Sequence, residues 1–377
     1  MKQMIRSLVY GAGFALVLSS CGGGGGGAQK KMITRIGVPD SPFKPAQLET
    51  TIGSLVTEIG KTDVQEEQLS VLLKELSGYW EPVKIGANRA VGELAVPGVV
   101  AAPTGNTPDE RADAQIQMMM EERSAGYTGF GLAPLRADIT AQIDAAADAN
   151  LPVITVDSDL PDSKRHLYVG TINPEAGKTA ANTLLAQFGA GTTSGTVIIL
   201  GHDNPTDWPD GFQRTKGAQD VLEAHGFTVV VRKSTWTDTG DDEDSQSMAD
   251  SITAANPPAV GMIGLFSNAY RCAKAAELAS KTKDDIAIVG FDFDPKTLAY
   301  MQSGLIRATH AQRQYYMGYL MPYLLYSVNA LGMEKTKEIM SHHMVDDARI
   351  DSGLDVVGAT QVDAYNNFLD SLGIGAS

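Results

Sequence analysis

The sequence predicts an α/β protein with two doubly wound parallel sheets, and three observations support this fold class. Ten short apolar segments alternate with helical patterns from residue 68 onward, as in successive parallel β-α units. The 377 residues are 43% hydrophobic and 20% charged, which is enough to bury the cores of two domains. Polar and aromatic residues follow many of the apolar segments, where sheets of this class bind ligands.

The ten apolar segments are the predicted strands. Val, Ile, Leu and Gly dominate them, as expected for strands that are covered by helices on both faces of a sheet. In chain order they span 68–75, 95–102, 127–133, 153–157, 167–169, 196–200, 227–232, 260–266, 286–291 and 306–311.

Helices are predicted between these strands, among them 174–188, 210–225 and 268–281. In the first of these, Ala176, Ala180 and Leu184 recur at four-residue spacing and would face a sheet. Gly226 follows the second, in the position where glycine commonly ends a helix. This alternation of strands and helices predicts two doubly wound, Rossmann-like lobes.

The first 20 residues have the pattern of a signal peptide. Lys2 and Arg6 precede an apolar run of about twelve residues, which is short of the ~20 that a spanning helix needs. The run ends in Leu18-Ser19-Ser20-Cys21, which resembles the bacterial lipobox. That resemblance implies lipidation of Cys21 and a mature protein that begins there. An ordinary secretory cleavage site beside a cysteine is the alternative.

Residues 21–63 are predicted to form a lipidated, glycine-rich tether and an N-terminal extension. Six glycines, Gly22 to Gly27, follow the cysteine, and three prolines lie between residues 39 and 45. One helix is expected over 46–59, where apolar residues recur at helical spacing. Nothing in this segment indicates that it belongs to a core.

Charge and cysteine content exclude several classes of protein. Without the signal peptide the chain has 28 basic and 45 acidic residues, a net charge of −17, which argues against binding to nucleic acid. If Cys21 carries lipid, Cys272 has no partner for an intrachain disulfide. No nucleophile motif, phosphate loop or metal-ligand spacing occurs, so we expect no enzyme activity, cofactor or metal.

The residues that follow the strands suit a small polyhydroxylated ligand. Aromatic rings can pack on the C–H faces of a sugar, while carboxylates, amides and a guanidinium pair with its hydroxyls. Residues of these types lie in segments that the predicted sheets would bring to one cleft, including Tyr79 and Trp80, Asp157, Asn268, Asp292 and Gln312.

Several longer stretches resemble the type I periplasmic solute-binding proteins of sugar ABC importers, the ribose-binding-protein-like family. "DGFQRTKGAQDVLEAHG" is similar to the arginine-containing helix of that family, and "GLFSNAYRCAKAAE" to its strand-Asn-helix segment. "IVGFDFDPKTLAYMQSGLIRATHAQRQYYMG" also matches the family pattern. The resemblance runs from about residue 68 to the C-terminus and is strongest over 151–318.

The resemblance implies both a site and an architecture. The ligand contacts of the family fall on Tyr79, Trp80, Asp157, Asn173, Arg214, Asn268, Asp292 and Gln312. The chain would cross between the lobes three times, near Gly170, Gln312 and Met344, to form a hinge. Lobe I would then contain 64–170 and 313–344, and lobe II 171–312 and 345–377.

The implied function is a lipid-anchored binding protein, a monomer at the periplasmic or cell-envelope face. It would capture a sugar or sugar-like molecule and deliver it to an ABC permease and its ATPase. Ser158, Ile172 and Ala269 depart from the ribose-binding pattern, so a more apolar ligand remains an alternative. A sensory module for a receptor kinase is another. Four aromatic residues in the matching loops are expected to pack within the lobes rather than contact ligand: Trp208, Phe266, Tyr270 and Phe293.

Overall fold

A computed structural model describes residues 29–206, 208–237 and 239–375. It contains two six-stranded sheets, each with helices on both faces. The first sheet, which defines lobe I, has the order β11-β5-β4-β3-β1-β2, and all its strand pairs are parallel. Its strands are β1 (Leu69–Leu72), β2 (Gly98–Ala101), β3 (Gly129–Leu132), β4 (Val153–Val156), β5 (Leu167–Gly170) and β11 (Arg349–Asp351).

The second sheet defines lobe II and has the order β12-β10-β9-β8-β6-β7. Only its edge strand β12, which pairs with β10, runs antiparallel. Its strands are β6 (Thr196–Gly201), β7 (Thr228–Lys233), β8 (Ala259–Gly264), β9 (Ala287–Phe291), β10 (Ile306–Gln312) and β12 (Leu354–Gly358). The predicted α/β class with two doubly wound sheets is confirmed.

Strands β11 and β12 were not among the predicted strands. Strand β11 has only three residues, two of them charged, and β12 is half-exposed at the sheet edge. Neither therefore shows the continuous apolar run that marks the ten buried strands.

Twelve α-helices connect and cover the sheets in the described part of the chain. They are α1 (Ala46–Ile59), α2 (Glu81–Leu94), α3 (Pro108–Ser124), α4 (Thr140–Asp148), α5 (Asn173–Leu185), α6 (Pro209–Ala224), α7 (Gly240–Ala254), α8 (Tyr270–Leu278), α9 (Pro295–Gln302), α10 (Gln314–Leu331), α11 (Met333–Met340) and α12 (Val362–Ser371). None of the helices that the structure describes is long and apolar enough to cross a membrane.

The chain passes between the two sheets at three places. It leaves β5 through Thr171, leaves β10 at Gln312 and returns through Ser352 and Gly353. The predicted third crossing near Met344 is wrong, because β11 pairs with β5 and residues 345–351 therefore belong to lobe I. The boundary predicted at residue 344 moves accordingly to about residue 352.

The helix predicted over 46–59 is confirmed as α1, whereas the tether predicted over 21–63 is wrong for residues 29–63. Leu48, Ile52 and Leu55 lie on one face of α1 and are buried in the core, where α1 packs against α10 and α11. Helix α10 is apolar on nearly every side and must be covered on all of them, since the sheet of lobe I covers only one. The signal peptide, Cys21 and the six glycines lie outside the described residues.

Candidate functional site

A cavity of about 270 Å³, which we call the interlobe cavity, lies between the two lobes at the carboxyl ends of their strands. Both lobes contribute to its wall. The lining residues of lobe I are Lys74, Tyr79, Trp80, Asp157 and Ser158. Those of lobe II, up to the second crossing at Gln312, are Asn173, Trp208, Asp210, Arg214, Trp236, Phe266, Ser267, Asp292 and Gln312.

The polar side chains of lobe I are held in place by each other. The Tyr79 hydroxyl donates to Asp157 Oδ1 at 2.7 Å, and Lys74 Nζ donates to Ser158 Oγ at 2.6 Å. Lys74 Nζ also lies 3.8 Å from Asp157 Oδ2. Burial, reinforced by the Asp157 carboxylate, raises the pKa of Tyr79 well above its usual value, so the phenol keeps its proton. This wall presents a carboxylate, an ammonium and two hydroxyl oxygens.

The close packing of α5 against α6 brings Asn173 and Arg214 together in lobe II. A Cβ atom at Gly177 would clash with the Arg214 carbonyl, and one at Gly217 would clash with Pro174, so glycine allows this approach. Arg214 Nε and Nη2 then donate to Asn173 Oδ1 at 3.0 and 2.8 Å. The guanidinium is thereby fixed in the cavity wall.

Arg214 continues the network toward the second crossing between the lobes. Its Nη2 donates to Gln312 Oε1 at 3.3 Å, and Gln312 Nε2 donates to Asp292 Oδ1 at 2.9 Å. The guanidinium carbon lies 4.5 Å from the centre of the Phe291 ring, a cation–π contact. Arg214 is almost fully buried, and its Nη1 also donates to the Leu265 carbonyl at 2.9 Å, so its charge is compensated by these groups and by the nearby carboxylates.

Two carboxylates in the wall have an unusual backbone conformation. Asp157 and Asp292 each follow a strand directly and have φ angles of 64° and 59°. Non-glycine residues rarely adopt this left-handed region, which costs on the order of 1 kcal/mol or more. Such strain is common at binding sites, and Asp157 and Asp292 both line the interlobe cavity, whereas the other three non-glycine residues with positive φ, Ala95, Asn150 and Ser280, do not.

Burial makes two of the carboxylates weaker acids. It raises the pKa of Asp292 to about 6, although the Arg214 guanidinium opposes the shift. It likewise raises the pKa of Asp210 to about 6, and repulsion from Asp157 adds to this increase. Asp210 also accepts a hydrogen bond from Asn173 Nδ2 at 3.1 Å. Both carboxylates are therefore mostly ionised at neutral pH and protonate in mild acid.

Aromatic rings form the rest of the wall. Trp80 comes from lobe I, and Lys74 Nζ lies 5.6 Å from the centre of its ring. In lobe II, Trp208 stacks on Phe266 with ring centres 4.6 Å apart, and Trp236 meets both edge-on. The cavity therefore combines apolar aromatic faces from both lobes with charged and amide groups.

The structure brings seven of the eight predicted site residues to the interlobe cavity: Tyr79, Trp80, Asp157, Asn173, Arg214, Asp292 and Gln312. Asn268 lies behind the wall, buried, with Nδ2 donating to Ser234 Oγ at 2.7 Å. Its Oδ1 has no hydrogen-bond partner among the described residues. The role of Asn268 as a ligand contact stays a prediction.

Other lining residues were not predicted. Trp208 and Phe266 were expected to pack within lobe II but line the cavity, whereas Tyr270 and Phe293 do not. Asp210 lies four residues before Arg214 on α6, and this spacing on one helix face could have identified it. Lys74 was missed because the predicted strand 68–75 included it, whereas β1 ends at residue 72. Across the described ranges, no group of three His, Cys, Asp or Glu side chains could hold a metal ion.

The comparisons with known proteins agree with this geometry. The family model described as periplasmic binding protein domain matches residues 69–332. The chain belongs to the periplasmic binding protein family. The expected fold and family are thus confirmed, and this periplasmic binding protein belongs to a family of non-enzymatic binding proteins. No curated protein matches it in sequence.

Three solved structures illustrate the similarity of fold. A sugar-binding protein of a sugar ABC transporter from Bacillus halodurans is 23% identical with a TM-score of 0.64, covering 80% of this chain and 100% of its own. A glucose-galactose binding protein from Geobacillus stearothermophilus is 25% identical with a TM-score of 0.60, covering 79% and 99%. A solute-binding protein from Burkholderia graminis, in complex with D-arabinose, is 23% identical with a TM-score of 0.61, covering 79% and 97%.

Proposed function

We propose that this protein binds a small sugar in the interlobe cavity and delivers it to the permease of an ABC importer. The observation that carries the proposal is the composition of the cavity wall. Trp80 and Trp208 offer apolar ring faces from opposite lobes, and planar polar groups lie between them. A volume of about 270 Å³ suits a ligand somewhat smaller than a drug-sized molecule.

The polar groups of the wall can form hydrogen bonds with the hydroxyl groups of a sugar. Arg214 Nη1 donates one N–H to the Leu265 carbonyl and can donate its other N–H to a hydroxyl oxygen, and the carboxylates of Asp157 and Asp292 can accept from hydroxyl protons. Because lobe I supplies Asp157 and lobe II supplies the other two, one sugar would bind both lobes and favour their closed arrangement. Hinge closure of this kind is the expected working step.

The alternative of a more apolar ligand is less consistent with the wall. Lys74 and Asp210, neither of which was predicted, add two charged groups to those already expected. Transfer of an apolar molecule into the cavity would remove water from these charges without replacing its hydrogen bonds, which is costly. The sugar assignment therefore has the stronger support, which comes also from the sugar-binding neighbours of the same fold.

We further propose export, lipidation of Cys21 and attachment to a membrane at the periplasmic or cell-envelope face. The N-terminal motif supports this proposal. In the cell, Cys21→Ser should abolish labelling of the protein by radioactive palmitate and release it from the membrane fraction. Equal labelling of both forms would refute the anchor.

The ligand proposal is tested by calorimetry on the chain from residue 22 onward, which cannot be lipidated. The panel contains D-arabinose, D-glucose, D-galactose, D-ribose and D-xylose, with ribitol and adenosine as controls of different chemistry. We expect one monosaccharide to bind with a stoichiometry of one per chain, and gel filtration to show a monomer. Absence of heat and of thermal shift across all the sugars would overturn the proposal.

A further inference from the structure

A second cavity of about 500 Å³ adjoins the interlobe cavity and lies outside the proposed sugar site. It lies between the start of α2 in lobe I and the start of α9 in lobe II, and the C-terminal segment closes one side. The residues that line it and not the interlobe cavity include Glu81, Phe293, Asp294, Gln314, Tyr365 and Ile374.

The two cavities share part of their walls. Tyr79, Ser267 and Asp292 line both of them. Asp292 Oδ1 accepts from Gln312 on the side of the interlobe cavity, while Oδ2 accepts no hydrogen bond from the described residues. The hydroxyl of Tyr79 is directed to Asp157, so its ring stands between the two spaces. A ligand held by Asp292 in the interlobe cavity therefore lies directly beside the second cavity.

The second cavity has the chemistry to hold an uncharged ring. Phe293 packs edge-on against Tyr365 with ring centres 4.6 Å apart, and Ile374 adds a further apolar surface. The polar lining consists of three carboxylates, the hydroxyl-bearing residues Tyr79, Ser267 and Tyr365, and the Gln314 amide, and no Lys, Arg or His occurs among the described lining residues. Three carboxylates without a facing cation would repel a phosphate group there, whereas a hydroxylated or aromatic ring would find both apolar faces and hydrogen-bond acceptors.

We propose that the second cavity is a subsite for the substituent of a glycoside, so that the natural ligand is a sugar linked to a second uncharged ring. This inference rests on the proposed function, because the sugar itself occupies the interlobe cavity. It narrows the substrate class to disaccharides and ring-bearing glycosides, and it excludes sugar phosphates.

Calorimetry tests the subsite with D-arabinose, D-glucose and D-galactose, each compared with its α and β para-nitrophenyl glycosides. We expect at least one glycoside to bind about tenfold more tightly than its parent sugar, the gain expected from one well-packed aromatic contact. Phe293→Ala should remove this gain and leave the affinity for the parent sugar unchanged. The gain would persist in this variant if the added ring lay in solvent, and that result would overturn the subsite.

Phe43→Ala is the matched control. Phe43 packs against Tyr365 with ring centres 4.9 Å apart, as Phe293 does, but it does not line the second cavity. Each substitution removes one ring that packs on Tyr365 of α12, but only Phe293→Ala changes the wall of the second cavity and should affect glycosides selectively. Binding of parent sugars with weaker or absent binding of every glycoside would overturn the subsite and leave the proposed function intact. Binding of neither would overturn both.

Discussion

Two buried polar networks, one in lobe I and one in the cleft, differ in whether groups of the protein satisfy their hydrogen-bonding capacity. In lobe I, Glu93 Oε2 accepts from the hydroxyls of Tyr319 and Tyr323 on α10. Glu93 Oε1 accepts from the backbone of Ile36 and from Arg89 Nε, at 3.0 and 3.2 Å. All four donors belong to the protein, and they join α2, α10 and the N-terminal segment into one body.

The cleft network has the same kinds of group but faces open space. Asn173, Arg214, Gln312 and Asp292 are linked in sequence, and the interlobe cavity lies beside them. Two of the aspartates in this wall have strained backbones and two have raised pKa values, whereas the Glu93 carboxylate is enclosed by its donors. Burial of charge alone therefore does not mark a binding site. The marker is buried charge whose hydrogen-bonding capacity is directed into a cavity.

The largest effect should come from removing the central charge of the cleft network. We expect Arg214→Ala to weaken sugar binding by about 4 kcal/mol, or about a thousandfold, because Asn173 and Gln312 lose their donor and the sugar loses a charged partner. Calorimetry with the sugar identified by the panel gives the measurement.

Arg271→Ala is the control for this substitution. Arg271 is as deeply buried in lobe II and donates to Asp244 at 2.5 Å, but it does not line the cavity. It should lower the melting temperature and leave the affinity within about threefold, because its partners Asp241, Asp244 and the Thr235 carbonyl do not line the cavity. Equal losses of affinity in the two variants would mean that Arg214 acts only through the folding of lobe II.

Removal of the central carboxylate of the lobe I network should have the opposite outcome. We expect Glu93→Ala to lower the free energy of unfolding by about 3 kcal/mol, because two tyrosine hydroxyls and an arginine lose their acceptor inside the core. Urea denaturation measures the loss, and calorimetry should show unchanged sugar affinity. If affinity fell as much as in Arg214→Ala, the distinction between the two networks would fail.

The pH dependence of sugar affinity provides a smaller effect that is specific to the cleft. If the ionised form of Asp292 accepts a sugar hydroxyl, affinity should fall about tenfold between pH 7 and pH 5, because the carboxyl protonates with a pKa of about 6. Asp292→Asn should bind less tightly at pH 7 but with a flatter pH profile. A profile that is equally steep in this variant would assign the titration to another group, with Asp210 the first candidate.

The contribution of Asp292 to the stability of the unliganded protein should change with pH in the direction opposite to that of sugar affinity. The pKa of Asp292 is higher in the folded state than the value of about 4 expected after unfolding, so the folded state binds the proton more tightly. This contribution is fully present below about pH 4 and is lost as the pH rises through 6. Between pH 6 and pH 4, Asp292→Asn should therefore gain less stability than the wild type in urea denaturation.

The smallest effect should come from Asn268. Because it lies behind the wall and bonds to Ser234, we expect Asn268→Ala to change sugar affinity by less than about threefold, the scale of one uncharged hydrogen bond or less. Calorimetry under the same conditions as for Arg214→Ala measures it. A loss as large as that of Arg214→Ala would show that its unpaired Oδ1 reaches the ligand in the closed state.

The sequence determined those features that depend on local pattern. Runs such as 196–200 and 286–291 are almost entirely apolar because both faces of their sheet are covered, so they were recognisable as strands. Asp157 and Asp292 were identifiable because they follow such strands, and the carboxyl ends of parallel strands meet at one edge. The resemblance to a family then added Asn173 and Arg214.

Only the tertiary structure decided which surfaces meet. The apolar stripe of α1 is visible in the sequence, but its partner α10 lies more than 250 residues away, so the segment was mistaken for a tether. The three residues of β11 are assigned to lobe I solely by their pairing with β5. Lys74 and Asp210 reach the cavity, and Asn268 does not, because of how helices and loops pack at the cleft. Local patterns fix the elements, whereas contacts between distant segments determine which side chains share a site.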